Sequence, residues 1–153
     1  MGKSGKLPYT EMFFGEFEYR LDEKGRVPIP PRFRKELKDG MMLTPGVEKC
    51  IILYPLFEWQ KLADTLTSST VTPSKMRRLK RAIFATAFRL RMDRHGRIAL
   101  PFALREHAEL VDCAVIAGVN NYLEIWNKVH WEEERTNSQE QAWLIIESLE
   151  RQQ

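Results

Sequence analysis

Apolar and polar residues alternate in two short stretches that lie 71 positions apart in the chain. Phe17, Tyr19 and Leu21 alternate with Glu18 and Arg20, and Phe88, Leu90 and Met92 alternate with Arg89 and Arg91. A period of two puts successive side chains on opposite faces, so each stretch predicts a half-buried strand with its charges outward. After a short polar loop the alternation resumes in Val27 with Ile29, and in Ile98 with Leu100, until Pro30 or Pro101 stops the ladder. Each stretch therefore predicts a hairpin.

Pro31 suits the first turn of a short helix through Leu37, with Phe33 and Leu37 on one face and Gly40 as its stop. The equivalent helix of the second stretch is predicted over Phe102 to Leu110. Two further strands are predicted in each half, near Met41 to Thr44 with Cys50 to Tyr54, and near Ala114 to Ala117 with Tyr122 to Trp126. Longer helical patterns run over Glu58 to Leu66, Pro73 to Phe88 and Glu132 to Arg151, the last with Leu144, Ile145 and Leu149 near one face.

Residues 17–30 align with residues 88–101 without a gap, so that Phe17 and Phe88, Asp22 and Asp93, Gly25 and Gly96, Arg26 and Arg97, and Pro30 and Pro101 coincide. Arg34 matches Arg105 at the same offset. With one extra residue in the second copy, Gly46 meets Gly118, Leu53 meets Ile125, Tyr54 meets Trp126 and Trp59 meets Trp131. The chain thus divides into a first repeat at 16–58, a helical connector at 59–86, a second repeat at 87–130 and a C-terminal helix at 131–153. Four short strands with one apolar face cannot bury it alone, so the copies are expected to close on each other, or on another chain, as a shared barrel. The fold class is mainly β with α, an α+β arrangement of two tandem repeats.

A hydrophobic content of 43% over 153 residues is enough for a real core. The formal charge of +3 is uninformative, but its distribution is not. Six basic residues face one acidic residue over 59–86, whereas six acidic residues face two basic ones over 131–153. The connector cations Lys75, Arg77, Arg78, Lys80 and Arg81 read either as phosphate contacts or as the wet face of a helix that turns Met76, Leu79 and Ile83 inward. The helical spacing favours the wet face.

Several function classes lose support. The apolar runs fall far short of the roughly 20 residues that span a bilayer, and the first ten residues lack the apolar stretch of a secretory signal, so a cytoplasmic protein is expected. Cys50 and Cys113 fall in or beside predicted buried strands and read as small hydrophobes, not a disulfide framework. His95, His107 and His130 show no metal-ligand spacing with the cysteines, and neither a glycine-rich phosphate loop nor a nucleophile elbow occurs. No enzyme activity, cofactor or metal is expected.

The candidate chemistry lies in the loops Asp22-Glu23-Lys24-Gly25-Arg26 and Asp93-Arg94-His95-Gly96-Arg97. Aspartate accepts backbone N–H bonds in a tight turn and glycine supplies positive φ, so Asp22, Gly25, Asp93 and Gly96 shape the loops. Turn chemistry does not ask for arginine after the glycine in both copies. Salt bridges from Arg26 to Asp22 and from Arg97 to Asp93 are one reason for it; the planar fork that suits phosphate oxygens and guanine edges is another, and the two are compatible. Lys24, Arg32, Arg34 and Lys35 are expected around the first loop, and Arg89, Arg91, Arg94 and Arg105 around the second.

From Met12 to about Trp131 the chain resembles the MraZ family of bacterial transcription regulators, within the wider SpoVT/AbrB-like, swapped-hairpin group. The resemblance rests on the paired Asp-x-x-Gly-Arg turns at this separation, on Leu53-Tyr54-Pro55-Leu56 with Glu58-Trp59, and on Leu123-Glu124-Ile125-Trp126 with Trp131. Family members open with Met-Phe and then Gly, as Met12-Phe13-Phe14-Gly15 does, so residues 1–11 depart from the pattern. The resemblance implies a double-split, swapped-hairpin β-barrel, a homo-oligomer closed into a ring, and binding of short direct repeats of double-stranded DNA. The promoter implied is that of the division and cell-wall gene cluster including the protein's own gene, and the location is the cytoplasm at the nucleoid. Carried onto this chain, the DNA contacts would be Lys24 and Arg26 in the first loop and Arg97 in the second, with Arg94 and His95 beside it. The alternative is a non-catalytic interaction module like the antitoxins of this fold group, with Trp143 in the acidic C-terminal segment serving a protein partner.

Overall fold

The computed structural model describes residues 12–152; the departure of residues 1–11 from the family pattern lies outside the described residues. Strand β1 (Glu16–Arg20) leads through the first loop to β2 (Arg26–Pro28), a 3-10 turn (Pro31–Phe33) and the short helix α1 (Arg34–Leu37), then to β3 (Met41–Pro45) and β4 (Cys50–Pro55). Helices α2 (Leu56–Thr67) and α3 (Pro73–Ile83) carry the chain to β5 (Phe88–Leu90) and β6 (Arg97–Ala99). Helix α4 (Phe102–His107), strands β7 (Cys113–Gly118) and β8 (Leu123–Trp126), and the long α5 (Lys128–Arg151) complete it.

Local chemistry sets where the helices begin and end. Thr72 caps α3, its side chain accepting from Lys75 N, with Pro73 in the first turn. Asn127 caps α5 by accepting from Val129 N at 2.8 Å and His130 N at 3.2 Å, so that helix starts at Lys128 and not at Glu132 as the periodicity predicts. Helix α4 ends at His107, short of the expected Leu110, because Glu109 takes φ +54, outside helical geometry. The predicted helix from Pro73 to Phe88 stops at Ile83, since Phe88 is drawn into β5 against Leu43 of β3.

All pairings within the two sheets are antiparallel. Six strands follow the order β1-β7-β8-β4-β3-β5, and β2 pairs with β6 in a separate two-stranded ribbon. The predicted hairpins are corrected by this topology: the arms of each turn do not pair with each other. Strand β1 pairs with β7 from Glu16↔Ala117 to Arg20↔Cys113, while β2 lies against β6. Asp22 N to Arg26 O, at 3.1 Å, is the bond that crosses the base of the first turn. Exchange gives β1 a five-residue ladder, which the three-residue β2, lacking an N–H at Pro28, cannot offer.

The two repeats share one core. Positions 71 apart are buried together: Val27 and Ile98, Ile29 and Leu100, Phe33 and Leu104, Leu37 and Ala108. Leu53 and Ile125 join them from the second half of each repeat. Each large side chain removed from water in this way contributes about 1.5–3 kcal/mol. The repeat also recurs in aromatic contacts, with ring centroids 5.7 Å apart for Tyr54 and Trp59 and 5.8 Å apart for Trp126 and Trp131. Each pair seats the helix that follows its repeat, α2 or α5, on the last strand. Cys50 is buried and Cys113 half-buried, both as free thiols. Among the described residues no helix is long and apolar enough to cross a membrane.

Candidate nucleic-acid interface

Each loop is held by its aspartate. Asp22 Oδ1 accepts from Lys24 N and Arg26 N, both at 2.9 Å, and Oδ2 accepts from Arg26 Nε at 2.6 Å. Asp93 repeats the arrangement, accepting from His95 N at 2.8 Å, Arg97 N at 3.0 Å and Arg97 Nε at 3.1 Å. The turns close from Gly25 N to Asp22 O and from Gly96 N to Asp93 O, each at 3.0 Å, with Gly25 at φ +72 and Gly96 at φ +77. The backbone N–H of Arg26, then the Arg26 side chain and the backbone N–H of Lys24, hold the Asp22 carboxyl below its ordinary value. The backbone N–H of Arg97 leads the same effect at Asp93.

The β2–β6 ribbon sets the loops side by side. Arg26 stands opposite Ala99 and Pro28 opposite Arg97, and Gly25 O accepts from Leu100 N at 3.0 Å while Gly96 O accepts from Ile29 N at 2.8 Å. Arg97 Nη1 then lies 3.8 Å from Asp22 Oδ2. The two loops form one surface built from both repeats. Lys24, Arg94 and His95 are exposed on it, while the Arg26 and Arg97 side chains are 30% and 31% exposed. Both arginines hold their aspartates through Nε. The salt-bridge reading of these arginines therefore holds, and it keeps their forks in fixed positions.

The supporting cations are exchanged between repeats. Arg34, expected around the first loop, lies against Gly96 of the second and donates from Nε to Ile29 O at 2.9 Å. Arg105, expected around the second loop, lies against Gly25 of the first and donates to Leu100 O at 3.0 Å. A Cβ on Gly25 would stand 2.9 Å from the Arg105 Cζ, so a side chain there would displace that guanidinium as well as take up positive φ. The in-register match of Arg34 with Arg105 was the available signal that these two share a duty; the exchange itself is a property of the topology. Arg32 is drawn elsewhere, its guanidinium stacked over Phe14 and Phe17 and donating to Phe14 O.

On α3, Met76, Leu79 and Ile83 are half-buried and Lys75, Arg77, Arg78, Lys80 and Arg81 are exposed, the arrangement of a wet helix face. His107 Nε2 lies 3.1 Å from Gly46 O, and His130 Nε2 lies 3.2 Å from Glu109. Glu48, Cys50 and Glu124 bring a thiol and two carboxylates within 4.8 Å of one another. Burial pushes that thiol up to about 12, and Trp126 Nε1 donates to Glu124 at 3.0 Å.

The chain matches the MraZ protein family, described as antitoxin-like, over residues 12–82 and again over residues 83–143. It is similar to the transcriptional regulator MraZ of two strains of Dehalococcoides mccartyi, with 61% and 59% identity over 140 residues that cover 91% of this chain and 99% of each relative. The transcriptional regulator MraZ of a Roseiflexus species is 40% identical over 138 residues, covering 90% of this chain and 96% of that protein.

Proposed function

Because the chain belongs to the MraZ family, we propose that it is a DNA-binding transcriptional regulator, not an enzyme, whose DNA contacts are Lys24, Arg26, Arg94, His95 and Arg97. Asp22, Gly25, Asp93 and Gly96 hold those cations in place. The main support is the joining of the two loops into one cationic surface, with Arg97 reaching toward Asp22 across the β2–β6 ribbon at 3.8 Å. Held arginine forks suit phosphate and guanine, because little side-chain freedom remains to be lost on binding.

The finer reading is a homo-oligomer closed into a ring that repeats this surface along short direct repeats in a promoter. Modest contacts then add through high effective concentration. The promoter would be that of the division and cell-wall cluster containing the protein's own gene, bound in the cytoplasm at the nucleoid. The boundaries 16–58, 59–86, 87–130 and 131–153 serve as its working domain scheme.

A gel-shift titration tests the reading with duplex DNA from upstream of the protein's own gene against an unrelated duplex, over a series of salt concentrations. Preferential binding is expected, with affinity falling steeply as salt rises because phosphate contacts release counterions. Equal binding to both duplexes removes the sequence-specific regulator; a flat salt profile removes the cationic loops as its contact.

A second reading, an antitoxin-like interaction module, draws on the far half of α5, where Trp143, Leu144, Ile145 and Leu149 are exposed.

A further inference from the structure

Among the described residues, helices α3 and α5 have no fully buried residue. The first half of α5 is anchored by Trp131 on Trp126 and by ion pairs from Lys128 to Glu18 and from Arg135 to Glu16. From residue 137 to residue 152 every side chain except the half-buried Ala142 is exposed, and Trp143 is 71% exposed. Glu140, Trp143, Ile146, Glu147 and Glu150 recur at spacings of three and four, which places them on one stripe of the helix, acidic around an indole. An exposed apolar stripe with charge of one sign beside it marks an interaction surface.

The complementary feature lies on α3. Val71, Lys75, Arg78, Leu79 and Ala82 line a shallow hollow of about 440 Å³, apolar at its floor and flanked by two cations. Helix α3 contains five basic residues and no acidic one. Its hollow thus matches the α5 stripe in both respects: an apolar seat for an apolar ring, and lysine and arginine for glutamates.

We propose that the α5 stripe of one copy docks in the α3 hollow of the next, with Trp143 seated between Val71, Leu79 and Ala82 and with Glu140, Glu147 and Glu150 facing Lys75 and Arg78. Stripe and hollow are different patches of one chain, and in a ring they meet head-to-tail, not as a reciprocal two-fold pair. Such a joint leaves a free stripe at one end and a free hollow at the other until the assembly closes on itself. The proposal rests on the ring reading above and supplies its contact. The wet face of α3 is thereby divided: Lys75 and Arg78 meet a second copy, and Arg77, Lys80 and Arg81 stay in water.

Sedimentation velocity on the full chain tests this with two variants, Trp143→Glu, which spoils the stripe, and Lys75→Glu with Arg78→Glu, which spoils the hollow. Each variant alone is expected to sediment as a monomer where the wild type assembles. Mixed in equal amounts, they offer one intact stripe and one intact hollow, and are expected to form dimers of one copy each and nothing larger. That mixture also shows that both variants are folded. Variants that assemble like the wild type overturn the joint and leave the ring reading standing. Monomeric variants that give no dimer on mixing overturn the head-to-tail contact, and a monomeric wild type overturns joint and ring together.

Discussion

Arg97 of the second loop reaches to within 3.8 Å of Asp22 in the first, so a carboxylate that shapes one repeat also meets the guanidinium of the other. The contact couples the two loops into one unit. Four predictions follow from how that unit is held.

Arg26→Ala is expected to weaken promoter binding by about 5- to 150-fold while leaving assembly and fold intact. A bidentate arginine contact is worth about 1–3 kcal/mol. The salt bridge lost with it, from Arg26 Nε to Asp22, is solvent-exposed and contributes little to stability. Gel shift reads the first effect and chemical denaturation the second; unchanged affinity removes Arg26 from the interface.

Asp22→Ala separates loop shape from net charge. The substitution removes a negative charge, which by simple electrostatics strengthens DNA binding. It also removes the acceptor of Lys24 N, Arg26 N and Arg26 Nε, which lets the loop and its arginine move. Weaker binding, by severalfold, is the expected result. Tighter binding in the same gel-shift assay means that charge, and not geometry, governs the contact.

Gly96→Ala is expected to destabilise the fold by about 1–3 kcal/mol, the cost of a side chain held at left-handed φ. The new Cβ also meets the Arg34 guanidinium, which must leave its bond to Ile29 O. Thermal denaturation measures the loss; a variant as stable as the wild type shows that the loop relaxes to another conformation.

The loops are expected to survive mild acid. Both Asp22 and Asp93 are held below the ordinary carboxylate value by backbone N–H donors, so their contribution to stability is complete above that ordinary value. It is lost as pH falls through the lowered folded values. Side-chain carboxyl NMR titration should place both midpoints below that of an unstructured aspartate, and an ordinary midpoint at either site shows that its N–H bonds do not form in solution.

Most of the local structure was legible because it rests on short-range rules. Alternation marked β1 and β5, and proline and glycine bounded α1. The in-register Asp, Gly and Arg of the two loops marked one motif used twice. Helix ends were less legible where one residue overrode the pattern: Asn127 moved the start of α5 forward, and Glu109 at φ +54 cut α4 short.

What the sequence determined by itself is the identity of the parts: two copies of one unit, the same loop in each, and the buried positions that recur 71 residues apart. Only the tertiary structure decided which copy each part serves. A strand's alternation specifies which face it buries but not whose backbone it pairs with, so alternation alone reads the arms of each turn as a hairpin, whereas β1 lies against β7 and β2 against β6, the exchange that the swapped-hairpin resemblance implied. By the same logic Arg34 and Arg105 could be matched to each other in sequence, yet their crossing to the opposite loops follows from strand exchange. Local propensity acts within a few residues, whereas partner choice among equivalent edges is settled by the ladder and core that the whole chain can close.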